Sequence, residues 1–200
     1  LTTIAGREIK PEVPKISWRT QRPPEEFIPP GVPYAVLNPG SNEYGRRWPL
    51  AKYQQLAAVL VARGLHVIFI GGGGERPGDI DTTDGRIIDL IGRTDLAQLL
   101  DLMNHARLVV SNDTGPAHLS IALGTPSVVV VGGGHFGCFV PYPEAVRPDH
   151  ARFVYHKMDC YHCFWNCPKR GSKFEVFPCV EAVGLEQVLA EVENLLGPDV

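Results

Sequence analysis

The feature that most constrains the fold of this 200-residue sequence is a series of short apolar segments in which polar residues do not alternate. Most are rich in Val, Ile or Leu and are followed by a break that contains glycine, serine or asparagine. Strands that are apolar on both sides are typical of a parallel sheet covered by helices on both faces. The sequence therefore predicts a doubly wound α/β domain with strands over residues 34–37, 65–70, 86–90, 108–111 and 127–131.

Helices are predicted between and after these strands, where apolar residues recur at helical spacing. Pro49 stands where a first helical residue belongs, Thr94 is a candidate cap, and Gly124 ends a short helix. The predicted helices cover residues 50–63, 95–106, 116–123 and 185–196.

Residues 1–33 differ from the rest because they hold much of the proline of the chain. Proline removes backbone donors and disfavours helix in the residue before it. We expect a linker or extended arm here, leading from an absent N-terminal domain into a domain over residues 34–200. The chain begins with Leu1 rather than Met, so we expect it to be part of a longer protein. The prolines concerned are Pro11, Pro14, Pro23, Pro24, Pro29, Pro30 and Pro33.

The composition is that of an ordinary globular domain, with 44% hydrophobic and 20% charged residues. A net charge of -3 gives no indication of nucleic-acid binding, which favours a strong basic excess. No apolar run reaches the roughly 18 residues of a membrane-spanning helix, so no transmembrane segment is predicted.

Because the carboxyl ends of parallel strands meet at one edge of a sheet, the breaks after the strands predict a ligand site there. In the segment 111–118, SNDTGPAH, a strand ends and a helix begins. Free amides of a first helical turn attract anions, Gly115 lets a phosphate approach the backbone, and Thr114 adds a hydroxyl. His118 lies in the same turn and can help to hold a diphosphate. The alternative is that Asp113 or Thr114 is only an N-cap.

Two further breaks bring polar groups to the same edge. The segment 38–49, NPGSNEYGRRWP, contains two arginines that can clamp a phosphate through paired donors. Either Arg46 or Arg47 is therefore a candidate partner for the anion, unless the segment is simply a solvated basic loop. The segment 71–75, GGGGE, ends in Glu75, whose carboxylate can accept hydrogen bonds from ribose hydroxyls.

Taken in order, these segments resemble glycosyltransferase family 9, whose heptosyltransferase-type members build bacterial lipopolysaccharide cores. The resemblance covers roughly residues 34–135 and rests on the motifs NPGS, RRWP, GGGGE, SNDTGPAHLSIALGTP and VVVVGGG. It implies the GT-B arrangement of two facing Rossmann-like domains. In that arrangement this chain is the C-terminal half, which binds most of the sugar nucleotide.

The resemblance also implies which residues form the nucleotide-sugar site. The DTG-x-x-H segment over residues 113–118 matches the family's diphosphate- and sugar-binding segment, and Arg46 stands where relatives carry a phosphate-binding lysine. Ser41 and Asn42 correspond to the family's hydroxyl pair early in the loop that carries Arg46. Glu75 falls near the family's nucleoside-binding glutamate, and Thr94 falls near a position that lines the base. The implied site residues are Ser41, Asn42, Arg46, Glu75, Thr94, Asp113, Thr114, Gly115 and His118.

The function that the resemblance implies is inverting glycosyl transfer from ADP-heptose or a related nucleotide sugar to a lipid-linked sugar acceptor. Relatives carry the catalytic base and the acceptor site in the N-terminal domain, so we expect this chain to bind the donor and to be inactive alone. No cofactor is expected for the transfer, because family members commonly work without an essential divalent cation. The expected location is cytoplasmic, with the parent enzyme at the inner face of the inner membrane.

A group of cysteines stands apart from these motifs, in a loop over residues 160–179. Their spacing, C-x2-C-x3-C-x11-C, allows four thiolates to surround zinc, with His162 as a substitute ligand. An iron–sulfur cluster, reduced structural thiols and disulfides formed during handling are the alternatives. Several members of the family show a similar stretch, so the resemblance makes it part of the fold. The cysteines concerned are Cys160, Cys163, Cys167 and Cys179.

Two other classes of function stay open. One is a stand-alone nucleotide-binding module with a cysteine-based metal or redox centre. The other is a sugar-nucleotide epimerase of the GT-B fold, although the combination of WP and DTGPAHL argues against it. An NAD-dependent dehydrogenase is disfavoured because no G-x-G-x-x-G follows the first strand.

Overall fold

The computed structural model of the chain describes residues 2–4, 7–9, 12–21 and 24–197. The strands in these residues are β1 Thr2–Ile4, β2 Arg7–Ile9, β3 Tyr34–Asn38, β4 His66–Phe69, β5 Ile87–Asp89, β6 Leu108–Asn112, β7 Ser127–Val130 and β8 Ala151–Val154. The α-helices are α1 Leu50–Ala62, α2 Leu96–His105, α3 Gly115–Leu123, α4 Pro178–Glu181 and α5 Leu185–Leu196.

Six of the strands form one sheet in the order β5-β4-β3-β6-β7-β8, and each pair of neighbours is parallel. The chain builds outward from β3 to β5, then returns to pair β6 with β3 and continues to β8 on the other side. The strand order therefore reverses between β3 and β6. This arrangement confirms the predicted doubly wound parallel sheet, and ligands of such sheets bind at the reversal point.

Both faces of the sheet are buried, as the unbroken apolar strands predict. Along β3, Ala35 and Leu37 pack in a core with α1 and α5, whereas Val36 packs in a second core with α2. A third core joins α3 to β7 through Ile121 and Val129. The helices thus cover the sheet from both sides and fix the position of the loops at its carboxyl edge.

The predicted helices 50–63, 116–123 and 185–196 agree with α1, α3 and α5 to within a residue at each end. Thr94 is not the cap of α2, and this prediction was wrong. Asp95 takes that position, because its carboxylate accepts from the amide of Gln98 while the Gln98 side chain accepts from the amide of Asp95. Strands β1 and β2, which pair antiparallel within the predicted arm, strand β8 and the short helix α4 were not predicted.

The proline-containing segment lies along the domain in its described parts. The Ile16 amide donates to the Ala122 carbonyl at 2.8 Å, and the Trp18 indole donates to the buried Asp101 carboxylate at 2.6 Å. Pro11 and Pro23 lie outside the described residues. Among the helices that the structure describes, none combines the length and apolar character needed to cross a bilayer.

Candidate functional site

The loops after β3 and β6 meet at the reversal point of the sheet, and Arg46 joins them. Its guanidinium lies 3.2 Å from the Asp113 carboxylate and also donates to the Asp113 main-chain carbonyl. The Arg46 side chain is 26% exposed, so part of it remains open to a ligand. The structure therefore brings together a guanidinium and the DTG segment, which lie far apart in the sequence.

The two neighbouring arginines have different positions. Arg46 ends a short 3-10 turn, Tyr44–Arg46, whose start is capped by Glu43. Arg47 points elsewhere, because its Nε donates to the Ser41 carbonyl at 2.9 Å and its guanidinium lies over the Tyr44 ring at 5.2 Å. Of the two candidates, Arg46 is the one that contacts Asp113.

The first turn of α3 is open. Thr114 takes the N-cap position, but its hydroxyl makes no capping bond. That hydroxyl instead accepts from the Asn38 amide group at 2.9 Å and donates to the Asn112 carbonyl at 3.3 Å. No atom lies within 4 Å of the point where a Cβ on Gly115 would stand. Among the described residues no side chain caps this turn, Pro116 has no amide proton, and the Ala117 amide donates to the Thr114 carbonyl at 3.1 Å. The Gly115 amide is therefore the donor that this turn offers to an anion.

His118 extends the site along α3. Its Nε2 lies 3.6 Å from the Asp113 carboxylate, and its Nδ1 lies 3.1 Å from the Tyr142 hydroxyl. Burial and the nearby charge of Asp113 raise the pKa of Tyr142 above its ordinary value, so this hydroxyl stays protonated at neutral pH. Sequence reasoning missed Tyr142, because it lies in an irregular loop after β7 that no periodicity or motif connects to α3.

The other residues of the predicted site lie around the contact between Arg46 and Asp113, which is the centre of the site. Glu75 packs against the loop after β3, since a Cβ on Gly40 would lie 3.1 Å from the Glu75 Cβ. Ser41 is buried and Asn42 is exposed in that loop. Thr94 is half-buried beyond β5, and β4 separates that strand from β3. The geometry therefore connects Glu75 to the centre more directly than Thr94.

The cysteine-rich loop, residues 160–179, forms a second candidate site. Its four thiols line one cavity of about 10 Å³, which is the volume of about one water molecule. All five cysteines of the chain are free thiols, and Cys138 and His162 do not line this cavity. Within the described residues, no group of three or more His, Cys, Asp or Glu side chains is arranged to hold a metal ion. The residues that line the cavity include Cys160, Cys163, Cys167, Cys179, Trp165 and Phe177.

Comparison with known proteins places the fold and its motifs in one family. The family model for glycosyltransferase family 9 (heptosyltransferase) matches residues 4–162. Lipooligosaccharide heptosyltransferase 2 of Haemophilus ducreyi is 35% identical over 101 residues, which cover 46% of this chain and 29% of that protein.

The solved structures that share the fold include two heptosyltransferases. The E. coli ADP-heptose lps heptosyltransferase II superposes with a TM-score of 0.68 at 23% identity, over 86% of this chain and 49% of that one. The iron-containing dodecameric heptosyltransferase TibC, solved with ADP-D-beta-D-heptose, gives a TM-score of 0.63 at 20% identity, over 82% and 45%. The chain thus spans about half the length of these solved proteins. From its motifs, its sheet and the family match, the chain belongs to glycosyltransferase family 9, the heptosyltransferase family.

Proposed function

We propose that this chain binds the nucleotide-sugar donor of an inverting glycosyl transfer. The donor is ADP-heptose or a related nucleotide diphosphate sugar, and the acceptor is a lipid-linked sugar of the lipopolysaccharide-core type. The observation that carries the proposal is the meeting of Arg46, Thr114 and the open first turn of α3 at the reversal point of the sheet. The complex of TibC with ADP-D-beta-D-heptose supports the choice of donor.

The groups at this centre suit the two parts of a sugar diphosphate. The Arg46 guanidinium and the Gly115 amide at the start of α3 are donors, so they bind the diphosphate and stabilise the charge that it gains as it leaves the sugar. Asp113 is an acceptor, so in this proposal it holds Arg46 in place and accepts hydrogen bonds from sugar hydroxyls. Glu75 accepts from the ribose hydroxyls at the neighbouring loop.

In this proposal the residues described bind the donor and do not complete the reaction. Inversion at the anomeric carbon requires a base that removes the proton of the acceptor hydroxyl. We assign that base, and the acceptor site, to a further domain of a longer protein with a cytoplasmic location at the membrane face. The matches to solved structures about twice the length of this chain support that assignment.

The test is calorimetric titration of the chain with ADP, UDP, GDP and ADP-heptose, for the parent sequence and two arginine variants. We expect saturable binding of one nucleotide class. Arg46→Ala should weaken it at least about tenfold, because a charge-assisted contact to phosphate is lost. Arg47→Ala is the matched control and should have a smaller effect, because Arg47 binds the Ser41 carbonyl rather than Asp113. Equal effects of the two variants would show that the phosphate site is misplaced.

A metal site in the cysteine-rich loop is a second candidate, favoured by the four thiols that line one cavity, although these side chains are not arranged around an ion in the described residues. A set of four thiolates suits zinc or iron, and the cavity has room for a single ion. Burial raises the pKa of the Cys179 thiol, and the Gly133 amide, which donates to its sulfur at 3.4 Å, acts in the opposite direction and favours a thiolate ligand. That TibC is iron-containing supports iron as one of the two metals to be tested.

The metal content of the purified chain, measured by mass spectrometry, tests this second candidate. We expect about one zinc or iron per chain, lost in Cys163→Ser and retained in Cys138→Ser, since Cys138 is exposed and lies outside the cavity. A metal-free parent chain with intact thiols would contradict the site. A stoichiometric metal without binding of any nucleotide would instead favour the stand-alone module with a metal or redox centre.

A further inference from the structure

The cysteine-rich loop packs directly on the glycine segment that follows β7. The His162 amide donates to the Gly133 carbonyl at 2.8 Å, and the Phe164 amide donates to the Gly134 carbonyl at 3.1 Å. A methyl group on Gly134 would overlap the Trp165 ring. The loop is therefore seated at the carboxyl edge of the sheet, next to the loops that form the candidate donor site.

The backbone of this loop is strained where it meets the sheet. His162, Phe164 and Trp165 have φ values of 66°, 50° and 65°, in the left-handed region. This conformation costs about 1–2 kcal/mol for a residue with a side chain, and for bulky aromatic residues it is uncommon. Such strain persists only where the surrounding contacts impose it, and it is concentrated at functional sites. The position of Trp165 is therefore the result of contacts that outweigh this cost.

Three contacts fix the Trp165 ring. Its indole nitrogen donates to His135 Nδ1 at 2.8 Å, and the ring stacks on Phe177 with centroids 5.2 Å apart. The third contact is with Arg46, whose guanidinium carbon lies 4.9 Å from the ring centroid. Arg46 is thus held between an aromatic ring and the Asp113 carboxylate, and its buried Nε has no hydrogen-bond partner among the described residues.

The same loop also holds the backbone turn that carries Arg46. Arg170 donates to the Glu43 carboxylate at 2.8 Å, and Glu43 caps the turn by accepting from the Gly45 amide at 3.2 Å. The hydrogen bond from Arg170 lowers the pKa of Glu43 and so keeps this cap ionised. On the other side of the turn, the Phe177 amide donates to the Gly45 carbonyl at 2.8 Å. Both the side chain and the backbone of Arg46 are therefore tied to the cysteine-rich loop.

We propose that Trp165 is a positioning residue for donor binding, which sets the Arg46 guanidinium in the orientation that receives the diphosphate. This inference rests on the proposed function. It accounts for an arginine where the family resemblance leads one to expect a lysine, because a planar guanidinium stacks on an aromatic ring and an ammonium does so less well. The cysteine-rich loop is then part of the donor site, because its Trp165 ring packs against the Arg46 guanidinium.

A double-mutant cycle tests the proposal with Trp165→Leu, Arg46→Ala and the combination, each titrated with the best-binding nucleoside diphosphate. Trp165→Leu should weaken binding about tenfold, and it should add nothing in the Arg46→Ala background. Trp165→Phe should recover part of the loss, because the aromatic face is kept. Phe174→Leu is the matched control in the same loop and should bind as the parent does, since Phe174 is 68% exposed.

A second measurement reads the position of Arg46 without any ligand. The Nε proton of Arg46, assigned by its loss in Arg46→Lys, should exchange slowly with water in the parent chain and in Trp165→Phe, and quickly in Trp165→Leu. If the parent binds a diphosphate and Trp165→Leu changes neither affinity nor exchange, or its effect adds fully to that of Arg46→Ala, this inference is wrong and the proposed function stands. If the parent binds no diphosphate, the proposed function fails and the role of Trp165 in binding fails with it.

Discussion

At the scale of single residues, Asn112 at the end of β6 links the loops after β3 and β6, which form the candidate site. It is fully buried, and its side-chain carbonyl accepts from the Trp48 amide at 3.0 Å and from the Tyr53 hydroxyl at 3.2 Å. Its amide group donates to the carbonyls of Pro39 and Gly40 at 2.9 and 3.2 Å. One side chain at the end of β6 therefore fixes both ends of the loop that carries Arg46.

Replacement of Asn112 by Asp, which has the same shape, should be strongly destabilising. The two main-chain carbonyls would lose their donor and face a buried carboxylate, at a cost of about 2–4 kcal/mol. Urea unfolding of the variant measures this loss. Asn166→Asp is the control, since Asn166 is exposed and should change the free energy of unfolding by less than about 0.5 kcal/mol. Similar stability of the two variants would contradict the central role of Asn112.

At the scale of elements, two glycines have a positive φ for different reasons. One ends a helix, and the other also lets two loops approach each other closely. Gly124 ends α3 in the left-handed region with φ 86°, and no atom lies within 4 Å of the position of a Cβ. Gly92 has φ 75°, but a Cβ there would lie 2.9 Å from the Cα of Gly73. The second glycine thus holds the loop after β5 against the loop that carries Glu75.

Alanine at these two positions should have different consequences. Gly124→Ala should cost about 1 kcal/mol, because only the backbone conformation is unfavourable. Gly92→Ala should cost about 3 kcal/mol, because the same conformational cost is joined by a clash with Gly73. Thermal unfolding of both variants tests the difference. Loss of stability that is greater in Gly124→Ala would contradict the close approach of the two loops.

Elements with a strong local pattern could be predicted from the sequence, and the others could not. Helix α3 carries Pro116 in its first turn and Gly124 at its end, so both ends are marked by residues with restricted or unusual backbone geometry. Strand β8 has the sequence ARFV, with residues 152 and 153 only half-buried at the edge of the sheet. Its place is set by pairing with β7, which no local pattern reveals.

At the scale of the whole molecule, the sequence predicts which loops form the site, because the strand topology decides that, but it does not predict which of their side chains meet. The sequence places the DTG segment and the arginines at the same edge, because both follow parallel strands. The choice of Arg46 over Arg47, the contact of Tyr142 with His118 and the packing of Trp165 on Arg46 depend on side-chain directions in irregular loops. Such directions carry no periodic signal in a single sequence.

A groove at the opposite edge of the sheet is another place where a ligand could bind. A groove of about 820 Å³ lies between residues 12–17 of the N-terminal arm and residues 121–124 at the end of α3. Lys15 lines this groove together with the acidic Glu12, and the C-terminal end of α3 attracts cations rather than phosphates. We therefore assign the donor to the first turn of α3, where Arg46 meets Asp113, rather than to this groove.

The most direct test of this claim is amide chemical-shift mapping of the chain as ADP is added. We expect shifts at the amides of residues 114, 115, 117 and 118 and at the Arg46 side chain, with the amides of residues 12–17 and 121–124 unchanged. Shifts confined to the groove at the end of α3, or no saturable shifts at all, would contradict the assignment of this edge of the sheet as the donor site.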